Sequence, residues 1–204
     1  MGLLMTTPLV LIVNPATNIR TAAEFVQTAK AQAGRLSFSS AGNGSTPHLA
    51  FELLTQQTGL ELLHVPYKGG GEAITAVLSG TTTSYFAAPI EVMQNVKAGK
   101  PILGASSLTR TPGLADFPTL SETVAPGFEV THYTAILVKA GTPREIVDKL
   151  SENIVLALQA PEVREKIAQN GDVPAGTLAE ATDLFAREYP RWSRAVKAAN
   201  IKPE

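Results

Sequence analysis

Between Leu36 and Leu54 the chain passes from a β-type run into a glycine loop and directly into a helix. Leu36-Ser37-Phe38-Ser39 reads as a strand, Gly42-Asn43-Gly44 as a turn, and Thr46-Pro47-His48-Leu49 as the opening of the helix. Ser45 or Thr46 suits the cap, and Pro47 suits the first turn, where a missing N–H is not needed. The first amides of a helix have no internal partners and sit at the positive end of its dipole. Two glycines let a ligand approach the backbone, so the chemistry on offer is binding of a carboxylate or phosphate. The same residues can also simply turn the chain and cap the helix. Nucleotide readings are weaker: Gly42-x-Gly44-x-x-Pro47 has proline where a dinucleotide loop needs a small glycine, and no Gly-Lys-Ser/Thr phosphate loop occurs.

The pattern then repeats. Leu62-Leu63-His64-Val65-Pro66 leads through Tyr67-Lys68-Gly69-Gly70-Gly71 into a helix expected over Glu72–Leu78. Two such junctions predict an open α/β sheet whose helix N-termini face one cleft at the strands' C-terminal edge. Further strands are expected at Leu9–Val13, Thr82–Ala87, Ile102–Ser106 and, extended, Phe128–Val138. Thr21 with Glu24 forms a capping box for a helix over Thr21–Ala33. A helix is expected over Ile90–Ala98, ended by Gly99, and an irregular stretch over Ser107–Pro126. The tail reads as helical. Ile146, Val147, Leu150, Ile154 and Leu158 recur at helical spacing, Pro161–Ala168 follows, and Pro190 should kink or restart a last helix over Leu178–Ala199.

These motifs, in their order, resemble the Bug (TctC-like) family, the substrate-binding receptors of tripartite tricarboxylate transporters. The resemblance rests on Pro8-Leu-Val-Leu-Ile-Val-Asn-Pro15, Ser40-Ala-Gly-Asn-Gly-Ser45 with His48-Leu49, and His64-Val-Pro-Tyr-Lys-Gly69. It continues through Val96-Lys-Ala-Gly99, Pro118-Thr-Leu-Ser-Glu122, Pro126-Gly-Phe-Glu129, Ala140-Gly-Thr-Pro143 and Pro161-Glu-Val-Arg164. It implies a type II periplasmic binding protein-like α/β fold of two lobes, one complete and the other partial, closing on a small carboxylate. The ligand would pass to membrane permease subunits, without catalysis and without a cofactor. Residues 1–13 would be part of the first lobe, 14–133 the second lobe, and 134–204 the helical remainder of the first. Carried over residue by residue, the site comprises Ser40, Ala41, Gly42, Asn43, Gly44, Ser45, Thr46 and His48, with Tyr67, Lys68 and Gly69. A third loop adds Ala87 and Ala88, where the family usually offers a polar or acidic side chain.

The chain departs from the family in starting at the crossing strand, which suggests a truncated receptor. Met1–Pro8 lacks the basic, apolar and cleavage regions of a signal peptide. Resemblance therefore implies the periplasm, whereas expression of the chain as it stands implies the cytoplasm. An incomplete first lobe also predicts self-association through exposed apolar helix faces. Composition narrows the alternatives. A net charge of −1 gives no electrostatic case for nucleic acid, and zero cysteines exclude disulfides and thiolate chemistry. The three histidines show no metal-ligand spacing, and no Gly-x-Ser-x-Gly elbow occurs. Two other readings are an enzyme holding a phosphate or carboxylate substrate on the same helix N-termini, and an oligomeric interaction module that retains the fold.

Overall fold

The computed structural model describes residues 2–92, 102–174, 178–198 and 201. Strands β1 (Gly2–Pro8) and β2 (Val10–Val13) are one residue apart yet belong to different sheets. After β2 come α1 (Ala22–Ala31), β3 (Ser37–Ser40), α2 (Thr46–Thr58), β4 (Leu63–Pro66), α3 (Gly70–Ser79) and β5 (Ser84–Ala87). Residues 89–92 are helical, and the rest of the helix expected over Ile90–Ala98 lies outside the described residues. Then follow β6 (Ile102–Ala105), α4 (Leu120–Thr123), β7 (Thr131–Ile136), α5 (Arg144–Gln159), α6 (Pro161–Gln169), β8 (Val173–Pro174) and α7 (Leu178–Ala198).

The larger sheet has the order β4-β3-β5-β2-β6. β3 runs parallel to β4 and β5, whereas β2 runs antiparallel to both β5 and β6. Strands β3 to β6 therefore point the same way and end on one edge, and β2 runs against them. Both faces of β2 are buried, which its unbroken Val-Leu-Ile-Val run requires. Leu11 and Val13 join Phe25, Phe38, Phe51, Leu54, Phe86, Leu120 and Phe128 on one side. Val10 and Ile12 join Ala73, Val77, Tyr85 and Leu114 on the other. The first side is ordered by aromatic contacts. Phe38 and Phe51 stack at 4.3 Å between centroids, Phe51 tilts on Phe86 at 4.6 Å, and Phe86 meets Phe128 at 6.1 Å.

The smaller sheet, β7-β1-β8, is antiparallel. Leu3, Ala181 and Leu184 are its buried centre, and Tyr133 packs edge-on against Phe185 at 5.1 Å. Helix α7 packs across β1 and also reaches α2 of the larger unit.

Several sequence expectations need correcting. The crossing strand expected over residues 1–13 is two strands: Gly2–Pro8 is the central strand of the small sheet, and Val10–Val13 belongs to the large one. The stretch read as irregular holds α4 and a second capping box. Thr119 Oγ1 accepts the Glu122 N–H, and the Glu122 carboxylate accepts the Thr119 N–H. That backbone bond, with Arg110 beside it, holds the Glu122 carboxyl below its usual range. Helix α7 continues through Pro190 as one element rather than restarting. Glu188, which the charged stretch Arg187–Arg194 would leave on a solvated helix face, is buried and paired with Arg191 at 3.1 Å. The α5 stripe, in line with the exposed apolar helix faces expected, has only Leu158 buried, while Ile146 and Leu150 are exposed. The Thr21–Glu24 capping box is present as expected.

Phe51→Ala should cost about 3–5 kcal/mol of stability, because it empties the centre of the aromatic cluster. Urea denaturation measures this; a loss under about 1 kcal/mol would show that the ring is not part of a close-packed core.

Candidate functional site

The site is built where β3 and β4 end. Their register pairs Phe38 with His64, Ser39 with Val65 and Ser40 with Pro66. Both strands thus stop together, and their loops leave the same edge side by side. The Tyr67 N–H donates to the Ser40 carbonyl at 2.9 Å, which ties the two loops at their root. Gly42, at φ +122°, has room for a Cβ only at 3.5 Å from the Tyr67 carbonyl, and Gly44 lies at φ +73°. A residue with a side chain would strain this loop at both positions.

Most of the loop's polar groups face inward. The Ser40 hydroxyl lies 3.0 Å from the Gly42 carbonyl and accepts the Gly42 N–H at 3.2 Å. Ser45 donates from both its hydroxyl (2.7 Å) and its N–H (3.2 Å) to that same carbonyl. Ser45 occupies the N-cap of α2, as expected, but its hydroxyl does not cap the helix. Gly69, the N-cap of α3, has no side chain to offer, and α3 starts at Gly70, ahead of the expected Glu72. Both helices therefore present first turns with no side-chain cap from the N-cap residue, the arrangement that accepts an external anion.

Ala41, Gly42 and Asn43 line a cavity of about 680 Å³ together with Pro66, Tyr67, Lys68 and Glu72. Lys68 and Glu72 give it one charge of each sign, and the Lys68 N–H donates to Glu72 Oε2 at 3.2 Å. Among the described residues the Lys68 ammonium has no ion-pair partner. Thr46 lines a different cavity, of about 380 Å³, with Leu49, Thr131, His132, Tyr133 and Trp192. Thr46 of the first turn of α2 thus borders the 380 Å³ cavity, and Glu72 of the first turn of α3 the 680 Å³ one. Ala87 is buried and Ala88 half-buried, and neither lines the 680 Å³ cavity. The Ala88 N–H donates to Glu91 Oε2 at 2.9 Å, so that loop does carry an acidic group, one turn beyond the alanines. A Cβ on Gly70 would lie 2.7 Å from Glu91 Oε1 and 3.1 Å from the Tyr85 hydroxyl. Burial, followed by the Glu91 charge, pushes the Tyr85 phenol well above its usual range.

Behind the glycine loop stand two histidines. His48 is buried, and its Nδ1 accepts the Gly44 N–H at 3.0 Å. His64 Nε2 lies 2.7 Å from Ser40 Oγ. The two rings stack at 3.8 Å and 17°, and His64 stacks in turn on Phe38 at 4.8 Å. His64 was not among the residues expected at the site, because its contact with Ser40 follows from strand register. The period-2 alternation that puts His64 and Phe38 on one face is the one signal available. Glu72, Glu91 and Trp192 were likewise absent from the expected set.

A family model described as the tripartite tricarboxylate transporter family receptor matches residues 1–201. The chain belongs to that family. It is 37% identical over 194 residues to a protein from the tcbD-tcbE intergenic region of Pseudomonas sp. strain P51, covering 94% of this chain and 58% of that one. It is 30% identical to BugT of Bordetella pertussis over 200 residues, 96% of this chain and 60% of BugT. The chain thus spans somewhat more than half the length of these relatives. Among solved structures, Rpa4515 of R. palustris with adipate superimposes with a TM-score of 0.90 at 26% identity, over all of this chain and 69% of that one. The periplasmic binding protein BugD gives 0.85, also at 26% identity, over all of this chain and 69% of BugD. The fold is that of the periplasmic binding proteins, and the family is one of receptors rather than enzymes.

Burial, and next the neighbouring His48, lower the His64 pKa from 6.5 to about 4, against a smaller opposing pull from Glu52. Between those values the unfolded chain binds a proton that the folded chain does not. Stability must therefore fall as the pH drops from 6.5 towards about 4. Denaturation midpoints across that window should decline in the wild type and decline less in His64→Gln. Equal slopes would mean that His64 is not the group responsible.

Proposed function

We propose that this chain is the ligand-holding part of a solute receptor. On this reading it captures a small dicarboxylate in the periplasm and presents it to the membrane subunits of a tripartite tricarboxylate-type transporter. The observation that carries the reading is the shared cavity of the Ala41–Asn43 and Tyr67–Lys68 loops, bordered by a lysine without an ion-pair partner among the described residues and by the first turn of α3. Rpa4515 supports it as a relative of the same fold whose structure contains adipate. One carboxylate would sit on the loop amides and first-turn N–H groups, with the residues Ser40, Ala41, Gly42, Asn43, Gly44, Ser45, Thr46, His48, Tyr67, Lys68, Gly69, Ala87 and Ala88 forming or backing the site. The five-stranded sheet corresponds to the second lobe, and the three-stranded sheet with α5 to α7 to part of the first. Micromolar affinity needs about −8 kcal/mol. Four or five hydrogen bonds to a charged group, each worth roughly 1.5–3 kcal/mol, supply that scale.

Isothermal titration with adipate and other mono-, di- and tricarboxylates tests the proposal. Saturable one-to-one binding of a dicarboxylate without turnover is expected. Gly44→Asp should weaken it by tenfold or more, about 1.4 kcal/mol or above, since it sets a negative charge on the loop and strains it at φ +73°. Unchanged affinity in that variant would remove the loop from the site.

The exposed apolar residues Leu137, Ile146, Leu150 and Leu156, just after β7 and along α5, favour self-association of this chain. Sedimentation velocity should show a weight-average mass that rises with concentration. A monomer at all concentrations would contradict this.

A further inference from the structure

Resting on the receptor reading, we propose that His48, backed by the stacked ring of His64, is a positioning residue that holds the Gly42–Ser45 loop in its binding conformation only while the His48 ring is neutral, so that acidification weakens carboxylate binding. Both rings reach the loop, and the His48 bond depends on protonation. The Gly44 N–H points at His48 Nδ1, which must carry a lone pair to accept it. The ring proton then sits on Nε2, which lies 3.5 Å from Glu52 Oε1, so the carboxylate fixes the tautomer the loop needs. On the second ring, His64 Nε2 meets Ser40 Oγ, the hydroxyl that lies beside both the N–H and the carbonyl of Gly42. The two rings thus hold the loop at both of its positive-φ glycines.

A proton added to His48 Nδ1 would set one donor against another, and the Gly44 amide would have to turn away. The stacked geometry makes this a joint property: a charge on one ring opposes a charge on the other at 3.8 Å. Among the described residues, the groups shown against the pair are Glu52 on α2 and the uncharged Phe38 on β3. Glu52 would neutralise a cationic His48, so a bound anion gains little attraction from the added charge while the loop loses its shape.

The test uses the 15N-labelled full chain between about pH 8 and 5.5, the range in which imidazoles change charge. The Gly44 amide resonance should move together with the His48 ring nitrogens. In His48→Asn, whose Oδ1 replaces Nδ1 as acceptor without titrating, that resonance should stay still. Adipate titrations should show affinity about tenfold lower at the acid end in the wild type, beyond any change in His48→Asn, which carries the ligand's own ionisation. His48→Leu should bind weakly at every pH. A Gly44 resonance that ignores His48, or wild-type affinity that follows the Asn variant across the range, overturns the inference and leaves the receptor reading intact. Absence of adipate binding at every pH counts against the receptor reading instead, and the Gly44 resonance then decides the histidine inference: tracking His48 supports it, and staying still overturns it.

Discussion

The stack of rings that runs from His48 and His64 through Phe38 and Phe51 to Phe86 and Phe128 is the contact on which the rest of this structure depends. It draws on β3, β4, β5, α2 and the segment leading into β7, so it fixes the relative positions of most of the larger unit in one set of packed planes. Its inner end is wholly apolar and closed to water. Its outer end is imidazole, which packs as an aromatic ring and also offers nitrogen atoms to the backbone. The same stack is therefore core at one end and loop support at the other. A glycine loop with two positive-φ residues has little stiffness of its own, and here its shape is set by what lies beneath it.

Much of this was legible in the sequence. The strand-loop-helix junctions at Ser40–Thr46 and Pro66–Gly70 were readable because glycine, serine and proline mark local chain geometry directly. The Thr21–Glu24 capping box was readable for the same reason. The ordered series of motifs carried the family, and with it the fold. What stayed hidden depended on partners distant in the chain. The Phe38–His64 register placed His64 behind Ser40, and no local pattern reports a register. Burial of Glu188 depends on what α7 packs against. β1 has the mixed sequence Gly-Leu-Leu-Met-Thr-Thr-Pro, and it is a strand because β7 and β8 pair with both its edges. In each case tertiary pairing decided what local propensity left open.

The site also differs from its expectation in a way that bears on specificity. The loops meet in one cavity, but the first turn of α2 borders another, lined by β7 and Trp192. Glu72 and Glu91 bring acidic groups close to helix N-termini, where each accepts an N–H of its own segment. An incoming carboxylate must share that ground with these side chains, and Lys68 supplies the compensating charge. A ligand carrying a hydroxyl or ammonium group beside its carboxylate would meet the acids favourably; a plain dicarboxylate relies on Lys68 and the amides.

The most direct measurement of the central claim, that the two glycine loops together form a carboxylate site, is amide chemical-shift mapping of the 15N-labelled chain with adipate. The account predicts saturable shifts concentrated at Ala41–Thr46 and Lys68–Glu72, moving with a single binding isotherm. Saturable shifts confined to β7, Trp192 and the neighbouring face of α2, with those two loops unmoved, would place the ligand in the other cavity and contradict it.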